Sequence, residues 1–209
     1  MYSVGYGSTT AWFANVFTAV ADEQLSAVSF YTASLNSRFQ LYVYKNVTSG
    51  PRSGSLAGTV SGTIASAGYH TISIGSPIFL PSGQDFSIVV KLTTPGYTFP
   101  VPIKYPMFNY SSLATANSGE GYVSSNGTEW SDLTLSFSDS NVCLKAFTIT
   151  SSETVSTPIY LSGPASGATG VSYTYTVGGS SSNMDYPVQY FVDWGMKQTR
   201  TGCPRARPV

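Results

Sequence analysis

The sequence predicts an all-β protein, an antiparallel β-sandwich of the jelly-roll kind followed by a shorter, incomplete β segment. Short runs of alternating apolar and polar residues recur over the first 150 residues, separated by turns rich in Gly, Pro and Ser. The chain also holds 15 tyrosines and 11 phenylalanines, residue types that favour strands. No stretch shows the hydrophobic period of an amphipathic helix, so the sequence predicts no helical layer.

The charge balance argues against two classes of partner. The chain contains ten Lys and Arg residues and ten Asp and Glu residues, which gives a formal net charge of zero. A nucleic-acid-binding or membrane-surface protein would need a basic excess, so neither partner is expected. No apolar run approaches the roughly 20 residues of a membrane span, and the N-terminus lacks the basic and apolar parts of a signal peptide.

The first three strands are predicted near the N-terminus. Aromatic and apolar residues dominate 11–17 and 25–31, which predicts two strands separated by a turn. Residues 39–44 alternate, which predicts a strand with one buried and one exposed face. The inward side chains are Phe39, Leu41 and Val43, and the outward ones are Gln40, Tyr42 and Tyr44.

The middle of the first domain continues the pattern. Residues 49–57 form a polar loop, and 59–65 and 69–74 are weaker strand candidates. The β-branched run at 86–92 is the strongest strand of the chain, apolar on both faces. Prolines then interrupt 95–106, which predicts an irregular or edge segment.

The stretch 121–147 predicts the elements that close the first domain. Asn126-Gly127 tolerates the positive φ angles of a tight hairpin turn. Residues 133–137 alternate and predict a strand, and the mostly apolar run 142–149 predicts a second one.

Side chains of the same stretch are the candidates for a binding site. Trp130 stands in a polar loop, where an indole can form a platform that stacks on a sugar ring. The alternative is that Trp130 folds back over the sandwich edge as an apolar plug. The candidate ligand-binding residues are Trp130, Tyr122 and Trp12 as aromatic surfaces, and Asn126, Glu129 and Asp132 as partners for hydroxyl groups.

The character of the chain changes after residue 150. The predicted boundaries are a first domain at 1–150, a polar linker at 151–157, an incomplete β segment at 158–195 and a disordered tail at 196–209. The incomplete segment contains strand patterns at 159–161, 171–177 and 188–194, fewer than the roughly seven strands of a complete sandwich.

The first domain resembles the lectin-like domain found C-terminal to papain-like cysteine peptidases in bacteria and archaea. The resemblance is carried by GYGSTTAWFANVFTA at 5–19, GQDFSIVVKL at 83–92 and GYVSSNGTEWSDL at 121–133, and by the shorter stretches EQLSAVSFYT, LYVYKN and AGYHTISI. It implies a jelly-roll-like sandwich, an extracellular or cell-surface location, a papain-like peptidase domain in the parent protein, and no catalytic residue of its own.

The segment 158–195 resembles the start of a bacterial immunoglobulin-like or polycystic-kidney-disease-type repeat, through LSGPASGATGVSYTYTV and QYFVDW. In such repeats the last strand continues into Asp-Trp-Gly-Asp-Gly-Thr. Here MKQTRTGCPRARPV follows Gly195, and we interpret this tail as translated out of frame. The chain is therefore expected to be a piece of a longer secreted protein.

The residue types needed for catalysis or for a cofactor are scarce. A papain-type site needs a thiolate beside a histidine, and Cys143 and His70 both fall in predicted strands, without the Cys-Gly-Ser-Cys-Trp signature. No zinc site and no cofactor are predicted. A structural calcium is conceivable at Asp22-Glu23 or at 139–141, where carboxylates sit in turns.

Two functions remain open from the sequence. The first is a non-catalytic module that binds a glycan or cell-surface polymer beside a cysteine peptidase. The second is a spacer that packs on the peptidase and has no ligand, for which outward Tyr42 and Tyr44 are candidate contact residues.

Overall fold

The computed structural model describes residues 2–109, 111–150, 154–183 and 186–192. The chain divides into two compact units, Met1–Ser151 and Ser152–Val209. Strands β1 to β12 belong to the first unit and β13 and β14 to the second. Their bounds are β1 Tyr2–Val4, β2 Thr10–Thr18, β3 Glu23–Thr32, β4 Ser37–Lys45, β5 Ser55–Ile64, β6 Gly68–Leu80, β7 Asp85–Thr93, β8 Val101–Lys104, β9 Gly121–Ser124, β10 Ser131–Asp132, β11 Asn141–Val142, β12 Leu144–Thr150, β13 Tyr160–Ser162 and β14 Thr176–Gly178.

The first unit is an antiparallel β-sandwich, as the sequence predicts. One sheet has six strands in the order β10-β9-β2-β7-β4-β5, and it faces a three-stranded sheet in the order β12-β3-β6. The phenyl ring of Phe30 on β3 meets Phe13 on β2 and Phe39 on β4 edge-to-face, at centroid distances of 6.1 and 5.8 Å. These contacts join the two sheets, and such ring pairs add to the stabilisation from burial. A third sheet, β1-β8-β11, lies beside them.

Strand β4 follows the predicted alternation. Phe39, Leu41 and Val43 point into the core between the sheets and are 6, 0 and 0% exposed. The alternate side chains of β4, and the side chains level with them on β2, β7 and β9, lie on the outer face of the six-stranded sheet. We use the name outer face for the following residues. These are Trp12, Ala14 and Val16 on β2, Arg38, Gln40, Tyr42 and Tyr44 on β4, Val89, Lys91 and Thr93 on β7, and Tyr122 on β9.

The predicted strand at 133–137 is wrong. Leu133–Leu135 form a single turn of 3₁₀ helix, with Leu133 buried and Leu135 81% exposed. The cause is Asp132, whose carboxylate accepts hydrogen bonds from the amide and the hydroxyl of Thr134 at 2.9 and 2.7 Å. Capping by the preceding acid therefore determines the conformation here, because it satisfies the first free amide of the turn.

The predicted hairpin forms, although its turn is longer than the Asn-Gly signal suggests. Strands β9 and β10 pair antiparallel, with Val123 opposite Ser131. The connecting loop spans 125–130, and within it Gly127 has a positive φ of 79° while Asn126 does not. The turn is therefore not the two-residue type I′ turn, which needs positive φ at both positions.

The described residues of the second unit contain fewer strands than the sequence predicts for them. Strand β13 pairs antiparallel with β14, and a single bridge joins Val155 to Ser182. In the described range 186–192 there is no strand, although the sequence predicts one from 188. Residues 193–194 and the tail at 196–209 lie outside the described residues, so the predictions made for them are untested. No helix in the described ranges has the length and apolar character that crossing a bilayer requires.

Candidate functional site

Five aromatic residues of the first unit gather on the outer face of the six-stranded sheet. This aromatic cluster consists of Trp12, Tyr42, Tyr44, Tyr122 and Trp130, so the structure brings together the three aromatic side chains selected from the sequence. The Trp12 and Tyr42 rings are stacked, with centroids 5.9 Å apart and planes inclined by 21°. The buried centre of the cluster is formed by Ala14, Val47, Val89 and the ring of Tyr44.

Arg52 holds the loop that covers one end of the cluster. Its Nε donates to the Tyr44 hydroxyl at 3.0 Å, and its Nη1 donates to the Gly127 carbonyl at 2.6 Å. The guanidinium carbon lies 5.9 and 5.8 Å from the ring centroids of Trp12 and Tyr44, within cation–π range. Arg52, Tyr44, Gly127 and Trp130 are among the residues that line a depression of about 590 Å³. No sequence pattern indicates this role, because Arg52 stands in a polar loop.

Trp130 packs against the aromatic cluster instead of projecting freely. Its side chain is half-buried, and its indole Nε1 is fully buried with no hydrogen-bond partner among the described residues. A platform would leave one indole face open to a ligand. The packing favours a contribution of Trp130 to the attachment of its loop.

Asn126 and Glu129 shape the loop between β9 and β10. The Asn126 side-chain oxygen accepts hydrogen bonds from the backbone amides of Thr128 and Glu129 at 2.9 and 3.0 Å. Its amide nitrogen donates to a Glu129 carboxylate oxygen at 3.4 Å. This local bonding is the reason that Asn favours turns. The acceptor of Asn126 is thus already occupied, while the Glu129 carboxylate remains exposed.

Asp132 anchors the base of the same loop. One carboxylate oxygen accepts from the Ser118 hydroxyl and the Gly119 amide, both at 2.6 Å, and the other accepts from Thr134. Burial raises the pKa of this carboxyl, but the hydrogen bonds to its charged form outweigh burial and hold the pKa below its ordinary value. Burial, and secondarily the Asp132 charge, raises the pKa of Tyr122. The Asp132 carboxylate is therefore occupied by hydrogen bonds that stabilise the folded loop.

We predict that Asp132→Asn lowers the free energy of unfolding by about 1–2 kcal/mol at pH 7, because an amide has a single acceptor oxygen and cannot accept from both the Ser118–Gly119 pair and Thr134. The folded-state pKa is depressed, so this stabilisation is present above the unfolded pKa of about 3.9 and is lost as pH falls through the folded value. Urea unfolding at pH 7 and pH 3 should show the difference from the unmodified protein shrink at pH 3.

Asp139→Asn is the matched control for this experiment. The Asp139 side chain is exposed and makes no hydrogen bond within the described ranges, so its loss should change the free energy of unfolding by less than about 0.5 kcal/mol. An Asp132→Asn difference of the same size at both pH values would contradict the assignment to the charged carboxylate.

A second depression lies on the outer face, beyond the Trp12–Tyr42 pair. It has a volume of about 390 Å³, and its floor is formed by the neighbouring strands β5, β4 and β7. Lys91 lies at its rim with Nζ 5.4 Å from the Trp12 ring centroid. The polar residues that line it are Arg38, Gln40, Ser61, Thr63, Lys91 and Thr93. Sequence reasoning selected none of them as ligand-binding residues, because their strands meet only in the folded sheet.

The surroundings of the residues considered for catalysis or for a metal give little support for either role. Burial raises the pKa of the Cys143 thiol, the opposite of what a cysteine nucleophile needs. His70 is partly buried on β6, and its Nε2 lies 2.9 Å from the Ser66 carbonyl oxygen. Asp22 accepts from the Ser82 amide, and Glu23 from the Thr148 hydroxyl. No group of three or more His, Cys, Asp or Glu side chains suited to a metal occurs among the described residues, and the calcium idea stays a prediction.

Comparison with known proteins gives a family match and two structural neighbours. A family model described as a lectin like domain matches residues 1–148. The crystal structure of the cysteine protease and lectin-like domains of Cwp84, a surface layer associated protein of Clostridium difficile, is 28% identical in sequence, with a TM-score of 0.55. A second structure, the clostridial cysteine protease Cwp84 after propeptide cleavage, is 24% identical with a TM-score of 0.56, and this match supports the fold alone.

The extent of these matches limits what they imply. They cover 69 and 72% of this chain but only 33 and 38% of the two Cwp84 chains, so the chain spans about a third of their length. The part matched by the family model is the lectin-like domain and not the protease. No curated protein matches the chain. The immunoglobulin-like repeat after residue 150 has no support from these matches and remains a prediction.

Proposed function

Because the chain belongs to the lectin-like domain family over residues 1–148, we propose that it is a non-catalytic accessory module that binds a glycan on the outer face of its six-stranded sheet. The observation that carries the proposal is the stacked pair of partly exposed rings, Trp12 and Tyr42. On β4, Tyr42 lies between Gln40 and Tyr44, each of which lines one of the two depressions. Aromatic walls with a few well-placed polar groups are typical of ligand sites.

The cellular setting of the proposal comes from the structural neighbours. Cwp84 combines a lectin-like domain with a cysteine protease and is associated with a surface layer. We propose a corresponding arrangement for this module, in a parent protein that acts outside the cell or at its surface. The module would hold a polymer close to the peptidase and take no part in the cleavage step.

Within the binding face, the sequence-derived candidates take different roles in the proposal. Trp12 offers a partly exposed indole beside Tyr42, and Tyr122 and Trp130 support it from the side of β9 and β10. Glu129 has an exposed carboxylate for sugar hydroxyls. Asn126 and Asp132 act through the loop, because hydrogen bonds within the protein occupy their acceptor oxygens.

We predict that Tyr42→Ala weakens glycan binding by about tenfold, because it removes the ring that stacks on Trp12 and extends the aromatic surface. Affinity electrophoresis against a panel of neutral and acidic polysaccharides measures the loss. Tyr69→Ala is the matched control. Tyr69 is 41% exposed on the three-stranded sheet, with Lys145 Nζ 6.0 Å from its ring centroid.

Equal loss of binding in Tyr42→Ala and Tyr69→Ala would contradict the outer face as the site. Urea unfolding of both variants shows whether a loss of binding reflects a loss of folding. A folded, unmodified chain that binds no polysaccharide in the panel would reject the glycan-binding role and leave a second candidate.

That second candidate is a packing module for the peptidase, and a separate surface favours it. Tyr2, Tyr105 and Phe137 form an aromatic patch in which Tyr2 and Tyr105 stack at 5.3 Å and Phe137 contacts both edge-to-face. Tyr2 and Tyr105 are 45 and 38% exposed. Exposed apolar patches of this kind often mark protein interfaces.

Tyr42 and Tyr44 do not form the packing patch that the sequence suggested. Tyr44 is 7% exposed beneath Arg52, and Tyr42 lies half-buried against Trp12. Their alternation along β4 is correct, but the loop that carries Arg52 covers part of the face.

A further inference from the structure

Arg38 and Lys91 are two cations of the outer face that lack an acidic partner. Neither forms an ion pair with any carboxylate in the part of the chain that the structure describes. Arg38 lies opposite Thr93, and Lys91 lies opposite Gln40 on the same strand pair, β4 and β7. The two residues are therefore diagonal neighbours on one face, with backbone positions about 7–8 Å apart.

The surrounding charges do not neutralise this pair. Asp85, the acid on β7, is six residues from Lys91 along the strand, which is about 20 Å. Its carboxylate accepts a hydrogen bond from the Thr18 hydroxyl at 2.6 Å. Asp132 is held by Ser118, Gly119 and Thr134. Two cations on one face repel each other, and an anion placed between them would remove that repulsion.

The groups around the two cations suit a sugar. Gln40, Ser61, Thr63 and Thr93 place an amide and three hydroxyls in the same depression. Lys91 also reaches over the Trp12 ring, so the cation pair adjoins the aromatic pair of Trp12 and Tyr42. A charged group and a ring face of one ligand can thus be held side by side.

We propose that the glycan bound by the outer face is acidic, with its anionic group between Arg38 and Lys91 and its adjacent sugar ring against Trp12 and Tyr42. The inference rests on the proposed glycan-binding function and adds the charge of the ligand. A carboxylate of a uronic acid and a phosphate of a sugar-phosphate polymer share the required chemistry, because guanidinium and ammonium groups donate charge-assisted hydrogen bonds to both.

The test measures binding of the full chain to three probes by isothermal titration at low and high salt. Oligogalacturonate supplies carboxylates, its methyl ester supplies the same sugar chain without charge, and a phosphomannan supplies phosphates on a sugar chain. The variants are Arg38→Gln and Lys91→Met, which keep part of each side-chain stem over its neighbours. Lys145→Met is the control, since Lys145 lies over the ring of Tyr69 on the other sheet.

We expect at least one acidic probe to bind, the methyl ester to bind more weakly, and added salt to reduce affinity. Each of Arg38→Gln and Lys91→Met should weaken binding about tenfold, and Lys145→Met should leave it unchanged. The carboxylate and phosphate probes show which anion is preferred.

Tyr42-dependent binding of the methyl ester with the same affinity as the acid would overturn the acidic ligand while leaving the glycan-binding function intact. An equal loss in Lys145→Met would overturn the Arg38–Lys91 site. Failure of all three probes to bind the folded chain would overturn this inference, and failure of the wider polysaccharide panel would overturn the proposed function as well.

Discussion

Gly127→Ala is expected to lower the free energy of unfolding by about 2–4 kcal/mol and to displace the β9–β10 loop from the outer face. Gly127 has a φ of 79°, a conformation that disfavours any side chain. A Cβ at this position would lie 2.6 and 2.7 Å from the Cε2 and Cδ2 atoms of Trp12. Since the clash is with a packed indole and not with a flexible chain end, the loop itself has to move.

Gly96→Ala separates the two causes of this loss. Gly96 has a similar φ of 73°, but an added Cβ there meets nothing within 4 Å. It should therefore show the backbone cost alone, about 1–2 kcal/mol. Urea unfolding gives both values, and the fluorescence of Trp12 and Trp130 reports the displaced loop. Equal losses in the two variants would show that close packing of Gly127 on Trp12 contributes nothing.

The Gly127→Ala variant also links the loop to the binding face. The Gly127 carbonyl accepts a hydrogen bond from Arg52, which in turn donates to Tyr44. A displaced loop releases Arg52 from this position and opens the depression that Arg52 and Trp130 line. Glycan affinity should therefore fall in Gly127→Ala and not in Gly96→Ala, if the proposed function holds.

Much of the sandwich could be predicted because its strands carry a local signal. In β4 the alternation of Phe39, Leu41 and Val43 with polar neighbours matches the buried and outer faces of the sheet. The strong run at 86–92 forms most of β7, in the interior of the six-stranded sheet, where both faces are covered in part. This alternation is a property of each strand by itself, so it can be read from the sequence and is found again in the folded sheet.

The parts that could not be predicted depend on pairs distant in the chain. The alternation at 133–137 indicated a strand, but Asp132 is bound to Ser118 and Gly119 as well as to Thr134, so a 3₁₀ turn forms. Arg52 acquires its role only when its loop folds over Tyr44. The contacts of Asp132 with Ser118 and Gly119, and of Arg52 with Gly127, join distant positions and are not encoded by a local pattern.

The same limit applies to the candidate site and to the second unit. Trp130 was selected because an aromatic residue in a polar loop stands out in a sequence, and Tyr122 and Trp12 were selected with it as aromatic surfaces. Arg38 and Lys91 were not selected, because they lie 53 positions apart in the chain and become neighbours only when β4 pairs with β7. In the second unit, the alternating run at 171–177 yields only the short β14, since a strand also needs a partner to pair with.

Trp130→Ala is expected to lower the free energy of unfolding by about 2–3 kcal/mol, somewhat less than a fully buried tryptophan would cost. The indole packs on the buried group around Ala14, Val47 and Val89, and its removal leaves a void under the loop. An indole that served only as an exposed platform would instead leave stability nearly unchanged. Urea unfolding at pH 7 distinguishes the two roles of Trp130.

Trp130→Phe is the matched variant, because it keeps an apolar ring and removes the indole N–H. That N–H is buried without a hydrogen-bond partner in the described part of the chain, so its loss should not be costly. Trp130→Phe should therefore stay within about 1 kcal/mol of the unmodified protein. Glycan affinity should follow the same order, highest in the unmodified protein, slightly lower in Trp130→Phe and lowest in Trp130→Ala. A stable Trp130→Ala variant that has lost all glycan binding would contradict the packing role and assign Trp130 to direct contact with the ligand.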